Sequence, residues 1–235
     1  MDYSLINQID RYIKYCKTQK YLSSKTIDAY KTDLYQFATV IGSVNVEMVG
    51  KEEIEKYVSY IRLTYLPKTT KRKLASIKAF FNYMEYNYYI KSNPFKIIRI
   101  RIKEPVILPK TIPISDVKLL LQSIYHCMST GSTLFQRQSA MCAAAVIELL
   151  FCTGIRVSEL CSLRICDVNL TEGFILIHGK GSKERIVNIS NASVLTLLRD
   201  YSLLFSSNNP ITTPFFINPH QKPINDQAIR RIIKK

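Results

Sequence analysis

The sequence lacks a secretory signal, a membrane-length apolar run and any low-complexity segment. Its first ten residues show no basic region followed by an apolar run. The longest apolar stretch, Ala140 to Cys152, is interrupted by Glu148 and is too short to span a bilayer. Such a stretch is typical of a buried helix. We therefore expect a cytoplasmic protein that does not contact a membrane.

Paired-cysteine motifs are also missing. The six cysteines have no Cys-x-x-Cys spacing and fall mostly within apolar helical patterns. This distribution predicts reduced thiols in the protein core rather than a zinc site. The cysteines are Cys16, Cys127, Cys142, Cys152, Cys161 and Cys166.

Acidic residues are scarce relative to basic ones. Thirty-three Lys and Arg stand against eighteen Asp and Glu, which gives a formal net charge of +15. Such an excess points to a polyanionic partner, nucleic acid before a membrane surface. Many soluble proteins share a basic surface, so composition alone leaves the partner open.

The scarcity of acids is greatest between Arg62 and Lys103, where eleven basic residues accompany one acid, Glu85. Lys71 and Lys78 lie seven residues apart and share a helix face roughly opposite an apolar stripe. We expect this segment to bind the phosphates of duplex DNA, with release of counterions. The alternative is a solvated charged face without a partner. The predicted contacts in this segment are Lys68, Lys71, Arg72, Lys73, Lys78, Arg99 and Arg101.

Four apolar stripes at helical spacing fill roughly the first ninety residues and predict a four-helix bundle. Four of the nine prolines then fall between Lys91 and Ile114, where a helix cannot run unbroken. We therefore predict a first domain over residues 1–92, a linker over 93–113 and a second domain over 114–235. The stripes are Leu5, Ile9, Tyr12 and Cys16; Ile27, Tyr30, Leu34 and Phe37; Ile54, Tyr57, Val58 and Ile61; and Leu74, Ile77, Phe81 and Met84.

The second domain is predicted to be mainly helical with a small antiparallel sheet. Phe174–Ile177 and Arg185–Ile189 predict two strands joined by a tight, glycine-bearing turn. A helix around Val194–Leu204, a short strand at Phe215–Ile217 and a last helix from Asn225 complete the prediction.

The sharpest local signal is the run TGIRVSEL, from Thr153 to Leu160. Gly154 can supply a left-handed cap for the preceding buried helix, and Arg156 then begins the next one. An arginine near a helix start suits anion binding, and Glu159, one turn on, is placed to orient the guanidinium. A purely structural Arg–Glu pair accounts for the same residues equally well.

Twenty-four residues after Arg156, Lys180 stands between Gly179 and Gly181 in the predicted hairpin turn. The glycines leave room for Lys180 to project into a groove, although an ordinary turn also favours lysine for solubility. Lys183 and Arg185 extend this basic hairpin and are further predicted DNA contacts. The run is not a nucleotide-binding phosphate loop, because Gly181 occupies the place of the required Ser or Thr.

The runs TGIRVSEL and HGKGSKERIV, at this spacing, resemble the catalytic domain of the tyrosine recombinases, the phage-integrase family with its Xer-like members. LSSKTIDAYKTDLYQF, from Leu22 to Phe37, and the NPF at Asn93 to Phe95 are similar to the core-binding domain of that family. The resemblance covers nearly the whole chain. It implies an N-terminal four-helix, SAM-like domain and an α-rich catalytic domain with a small antiparallel sheet, clamped around double-stranded DNA.

The same resemblance implies site-specific DNA recombination or integration through a phosphotyrosyl intermediate, by a tetramer on DNA, with no metal or other cofactor. Arg156 matches the family's first catalytic arginine, whose bidentate guanidinium binds the scissile phosphate. Lys180 matches the hairpin lysine that protonates the departing 5′-oxygen. Glu159 would be the partner that positions Arg156.

Three further family features have no match after Lys180: a His-x-x-Arg box, a further His or Trp, and a nucleophilic tyrosine near the C-terminus. The only histidine there is His220, which is followed three residues later by Pro223, and the last tyrosine is Tyr201. We therefore expect a chain that is truncated before the box, without a nucleophile, and that binds duplex DNA without cleaving it. The alternatives are a non-catalytic DNA-binding regulator or accessory protein derived from a recombinase, and a basic helical regulator with chance matches.

Overall fold

The computed structural model describes residues 4–42, 44–105, 108, 111–179, 183–205 and 210–234. The chain divides into two compact units between Leu108 and Pro109. Each unit has its own apolar core. The described residues are mainly helical and include one three-stranded antiparallel sheet, which confirms the predicted fold class.

Four helices form the first unit, and each of the four predicted stripes faces its core. All members of the first, third and fourth stripes are buried, as are Leu34 and Phe37 of the second. The second helix begins after Ser23, whose hydroxyl accepts the Thr26 N–H and so satisfies a free donor of the first turn. The helices are α1 (Leu5–Thr18), α2 (Ser24–Ile41), α3 (Lys51–Thr64) and α4 (Pro67–Tyr86).

The segment after α4 belongs to the first unit, where the sequence predicts a linker from residue 93. Asn93 is buried; its side-chain amide donates to Asn82 Oδ1 at 2.6 Å and its backbone N–H donates to Glu85 Oε1 at 2.9 Å. Phe95 and three isoleucines at alternate positions up to Ile102 pack against the first core. Residues 93–102 therefore extend that core rather than forming a free connection, because their apolar side chains gain from burial.

The second unit surrounds α6, whose residues 142–147 are all buried. The sheet has the order β1-β2-β3, and in its longer ladder Phe174 pairs with Asn188 and His178 with Glu184. The elements are α5 (Ile114–Thr130), α6 (Leu134–Thr153), α7 (Val157–Ser162), β1 (Val168–Asn169), β2 (Phe174–His178), β3 (Glu184–Asn188), α8 (Ala192–Phe205) and α9 (Asp226–Lys234).

The strand predicted at Phe215–Ile217 is not formed. The two phenylalanines are buried, but the segment has only isolated bridges, from Pro214 to Arg164 and from Ile217 to Pro223. The backbone bonds on both sides of each bridge are made, but the pairing goes no further at Arg164, because the next N–H groups donate locally, from Thr213 to Pro210 and from Leu163 to Leu160. The apolar run thus reports burial with single bridges rather than a continuous strand.

The cysteine prediction is also wrong for most positions. Only Cys16 and Cys142 are buried, whereas Cys127, Cys152 and Cys166 are exposed. Two of the exposed thiols lie near the C-terminal ends of α5 and α6. No residue of α5 is fully buried, so the apolar pattern of that helix does not place Cys127 in the core.

An open, mainly apolar cavity of about 1090 Å³ lies between α5 and α6, with Ile232 and Ile233 of α9 at its edge. Across the described ranges, no group of three or more His, Cys, Asp or Glu side chains is arranged to hold a metal ion. No helix in those ranges is both long and apolar enough to cross a membrane.

Candidate functional site

One carboxylate, that of Glu159, holds two arginines at the start of α7. Arg156 Nη1 donates to Oε1 at 2.9 Å, and the Arg156 backbone N–H donates to Oε2 at 2.9 Å. From β3, Arg185 donates to both carboxylate oxygens, at 3.0 and 2.8 Å. Glu159 is only 7% exposed, whereas the Arg156 side chain is 76% exposed. The cluster carries a surplus positive charge, and Arg156 presents it to solvent.

The local sequence explains why Arg156 emerges here. Gly154 has a φ of 63° and ends α6 in the predicted left-handed conformation, which favours glycine. Ile155 is then buried and anchors the turn. Arg156 follows in an extended conformation as the residue before α7, so its side chain leaves the apolar support beneath it.

The electrostatics of Glu159 keep the cluster charged. Hydrogen bonds from Arg185, together with those from Arg156, lower the pKa of the Glu159 carboxyl to about 2 against the opposing effect of burial. The carboxylate therefore stays ionised at neutral pH and fixes both guanidinium groups. A fixed, exposed guanidinium suits two nonbridging oxygens of a phosphate and the charge that develops on them during displacement.

We expect Glu159→Gln to lower the free energy of unfolding by about 2 kcal/mol, because two arginines lose a charged acceptor while both retain access to water. Chemical denaturation near neutral pH measures this. The loss should shrink in acid: the lowered pKa means that the contribution is present above about pH 4 and disappears as the pH falls towards 2.

Glu172→Gln provides the matched control, since Glu172 is exposed in the turn before β2. Its effect should stay within about 0.5 kcal/mol. Equal losses for the two variants would mean that the Glu159 cluster adds nothing beyond a surface charge.

A second charged network lies where β2 ends and β3 begins. His178 Nε2 lies 3.0 Å from Asp167 Oδ1, and His178 Nδ1 lies 3.0 Å from Glu184 Oε1. Arg164 donates to Asp167 through Nε and Nη2, at 3.0 and 3.1 Å. Carboxylates at both ring nitrogens suit the doubly protonated imidazolium. Backbone pairing continues past these strand ends, because the Gly179 N–H donates to the Lys183 carbonyl at 2.6 Å.

Asp167 and the His178 imidazole support each other's charge. The hydrogen bond to Asp167 is the main cause that raises the pKa of His178 above its ordinary value. Burial by itself raises the pKa of Asp167, but hydrogen bonds from Arg164 and His178 outweigh it and hold that pKa at about 2.

We expect the stability of the protein to fall as the pH rises through the folded-state pKa of His178. A raised pKa contributes stability that is complete below the unfolded value of about 6.5 and is lost above the folded value. Thermal unfolding followed from about pH 6 to pH 9 measures this in the wild type and in His178→Gln. A His178→Gln profile with the same slope would exclude the imidazolium as the cause.

The predicted site residues of the second unit are only partly brought together. Arg156, Glu159 and Arg185 form one cluster, whereas Lys183 is exposed at the end of the hairpin. Arg185, predicted as a DNA contact, has its guanidinium bound to Glu159. Lys180 lies outside the described residues.

The predicted basic face of the first unit lies mainly on α4. Lys68, Lys71 and Lys78 are exposed there, with Lys71 Nζ 3.3 Å from Glu104 Oε2. Arg99 and Arg101 are also exposed in the segment that follows. Arg72 is half exposed and donates from Nη1 to Asp33 Oδ2.

Lys73 is the exception, and the structure removes it from the predicted DNA contacts. It is only 4% exposed. Its ammonium donates to Asp33 Oδ1 at 3.0 Å and to Gln36 Oε1 at 2.7 Å, and it lies 4.7 Å from the Tyr65 ring centre. The physical reason is helix geometry: a residue next to Arg72 is rotated by about 100° around the axis, which turns Lys73 to the core side.

The second unit has two tyrosines, and both have structural partners. The Tyr201 hydroxyl donates to the Ile217 carbonyl and accepts the Ile217 N–H, each at 2.8 Å, and the side chain is fully buried. Tyr125 donates to Glu148 at 2.9 Å. Burial and this carboxylate raise the pKa of Tyr125 to about 12. Neither hydroxyl has the environment of an activated nucleophile.

Sequence reasoning missed Asp33, Asp167 and His178 as members of charged networks. The i,i+3 spacing of Arg164 and Asp167 is a usable signal for one pair. His178 was identifiable as the cross-strand neighbour of Glu184 once the turn had been located. Nothing in the sequence marks Asp33, because its partners lie about forty residues away on α4.

Comparison with known proteins gives matches along almost the whole chain. Residues 120–235 match the phage integrase family, and residues 9–86 match the phage integrase N-terminal SAM-like domain. A tyrosine recombinase of Agathobacter rectalis is 48% identical over 232 residues, covering 99% of this chain and 76% of that protein.

Two solved structures of lambda integrase have the same fold. One is a dimer bound to a COC′ core site, with a TM-score of 0.71 and 14% identity over 98% of this chain and 76% of that one. The other is a tetramer bound to a Holliday junction, also with a TM-score of 0.71 and 14% identity, over 99% of this chain and 65% of that one.

Proposed function

Because this chain belongs to the phage integrase family of tyrosine recombinases, we propose that it binds duplex DNA and acts in site-specific recombination. The observation that carries the proposal is the cluster in which buried Glu159 fixes Arg185 and exposed Arg156. A structural ion pair needs only one arginine per carboxylate. Two arginines on one carboxylate leave a net positive charge, which suits a phosphate.

In this proposal Arg156 contacts the nonbridging oxygens of the scissile phosphate and stabilises the charge of the pentacoordinate transition state. Arg185 holds Glu159 and thereby the position of Arg156. Lys180, from the β2–β3 connection, donates the proton to the departing 5′-oxygen. The resulting displacement needs a tyrosine hydroxyl as nucleophile, which forms a phosphotyrosyl bond and releases the 5′-hydroxyl.

The first unit supplies affinity for the DNA backbone. Its exposed cations on α4, with Arg99 and Arg101 beyond, would neutralise several phosphates and make binding strongly salt-dependent. Self-association on DNA is part of the proposal and is supported by the fold shared with the tetrameric lambda integrase structure. We also propose that the protein acts in the cytoplasm, where bacterial relatives of this kind would meet their DNA.

A second candidate is a non-catalytic DNA-binding accessory protein. The observation that favours it is the state of Tyr125 and Tyr201, since one hydroxyl is buried and the other is bound to a carboxylate. For residues 1–235 by themselves, we therefore propose DNA binding without cleavage.

A suicide substrate with a nick beside the core site separates the candidates. Residues 1–235 should bind this duplex without forming a covalent adduct. A chimera that adds the C-terminal part of the Agathobacter rectalis relative should form the adduct, and Arg156→Ala should slow that step by about 10²- to 10³-fold.

Arg137→Ala is the matched control in the chimera, because Arg137 is an exposed arginine of the same unit. It should leave adduct formation nearly unchanged. A covalent adduct with residues 1–235 alone would contradict the non-cleaving proposal, and an active Arg156→Ala chimera would remove Arg156 from the pocket.

A further inference from the structure

A small cleft between α2 and α4 is lined by one basic side chain from each helix. Lys25 and Thr26 from α2 and Arg72 and Ser76 from α4 line it, with a volume of about 310 Å³. Such a volume is at the lower end of the range for ligand sites. No ion pair joins Lys25 to any carboxylate in the part of the chain that the structure describes.

Beneath the cleft lies a fully buried carboxylate, that of Asp33. It accepts from Arg72 Nη1, from Lys73 Nζ at 3.0 Å and from Ser76 Oγ at 2.7 Å. A carboxylate removed from water is tolerated only when charge and hydrogen bonds compensate for the lost hydration. The three donors provide that compensation, and all of them come from α4.

The charges of this group do not cancel. Asp33 and Lys73 are both buried and form a neutral pair, so Arg72 is the surplus cation. Its side chain is 48% exposed. A guanidinium has five N–H donors, and within the described ranges Asp33 is the only acceptor that it meets. Arg72 is also among the residues that line the cleft, so its other donors are available for a ligand there.

We propose that this cleft binds a single phosphate of the DNA backbone, which Arg72 and Lys25 contact from opposite sides, with Asp33 as the positioning residue for Arg72. The proposal rests on the proposed function, because it takes duplex DNA as the ligand. An arginine already fixed by a carboxylate loses little conformational freedom on binding, and its planar fork matches two phosphate oxygens. The buried Lys73 keeps Asp33 charged without competing for the phosphate.

The first test asks whether removing an acidic side chain strengthens or weakens binding to DNA. Removing an acid from a DNA-binding protein ordinarily strengthens binding, because it reduces repulsion of the phosphates. Asp28 lies on the same helix and is exposed, so Asp28→Asn should leave the affinity for a labelled duplex equal or higher. Asp33→Asn removes the same charge but releases Arg72, and it should weaken binding by about fivefold or more.

The second test does not depend on the folding of the Asp33 variant. Arg72→Ala should weaken duplex binding by about 10- to 100-fold, and Arg72→Lys should restore only part of this loss because a lysine cannot make the bidentate contact. If Arg72 and Lys25 share one phosphate, the double variant with Lys25→Ala should lose less than the product of the two single losses.

The results that would overturn the proposal are distinct from a failure of the proposed function. Independent losses for Arg72→Ala and Lys25→Ala, together with full rescue by Arg72→Lys, would reduce the cleft to general charge attraction. So would tighter binding by a folded Asp33→Asn variant. A wild type that binds no duplex even at about 50 mM salt would instead refute the proposed function.

Inorganic phosphate alone distinguishes a site for DNA from a site for a free anion. At the ionic strength of the duplex titration, we expect it to leave the backbone amide NMR signals of Lys25 and Arg72 unchanged, whereas the duplex shifts them. Shifts with phosphate alone, and none with the duplex, would assign the cleft to a free anion and overturn the assignment to DNA.

Discussion

Reversing three charges on α4, by Lys68→Glu, Lys71→Glu and Lys78→Glu together, should weaken binding to duplex DNA by about 100-fold or more. The three side chains are exposed on α4, beside the buried stripe that contains Leu74 and Ile77. Each phosphate contact that is lost removes a released counterion from the binding reaction. The slope of log affinity against log salt should therefore fall by about three.

The measurement is a fluorescence titration of a labelled duplex from about 50 to 200 mM salt. Lys14, Lys17 and Lys20 provide the matched control, since they are exposed in or just after α1 and their reversal changes the net charge equally. The control should lose less than about tenfold. Equal losses in the two triple variants would mean that net charge, and not the α4 face, determines binding.

Replacing Tyr201 with alanine should lower the free energy of unfolding of the second unit by about 3 to 5 kcal/mol. The ring is fully buried and lies 4.8 Å from Phe205, 5.7 Å from Phe215 and 5.4 Å from Phe216, between ring centres. Removing it opens a large cavity and also leaves the Ile217 N–H and carbonyl without their hydroxyl partner. Urea denaturation followed by near-ultraviolet circular dichroism measures the loss.

Tyr201→Phe separates the hydroxyl from the ring and should cost about 1 to 3 kcal/mol. Tyr125→Phe is the matched control on α5, where the hydroxyl meets half-buried Glu148 through one bond, and it should cost less than about 1 kcal/mol. A Tyr201→Ala protein as stable as the wild type, with a Tyr201 hydroxyl reactive towards a water-soluble acylating reagent, would contradict the structural role.

The sequence predicted the helices and the hairpin because these depend on short-range patterns. The stripes of the first unit have a period that matches one helix face, and Gly154 marked the end of α6 through its backbone freedom. The antiparallel hairpin also follows from local spacing around Gly179. The resemblance to a known family gave the pairing of Arg156 with Glu159 its functional meaning.

Other predictions failed where long-range packing outweighs a local pattern. The pattern at Phe215 and Phe216 predicted a strand, but local turns use the neighbouring N–H groups and leave only isolated bridges. Four prolines between Lys91 and Ile114 predicted a linker over residues 93–113, yet the isoleucines within residues 93–102 pack against the first core. Composition alone could not distinguish Lys73 from the exposed lysines around it.

The sequence by itself determined the mainly helical two-part organisation, the basic character of α4 and the position of Arg156 after a glycine cap, since each depends on residues close together in the chain. Only the tertiary structure decided which charged side chains are available to contact DNA. Glu159 binds Arg185 across 26 positions, and Asp33 binds Lys73 across 40. Such pairs form because a carboxylate that the fold buries must find its cations there. That requirement fixes Arg156 and Arg72 at the surface and removes Lys73 from it.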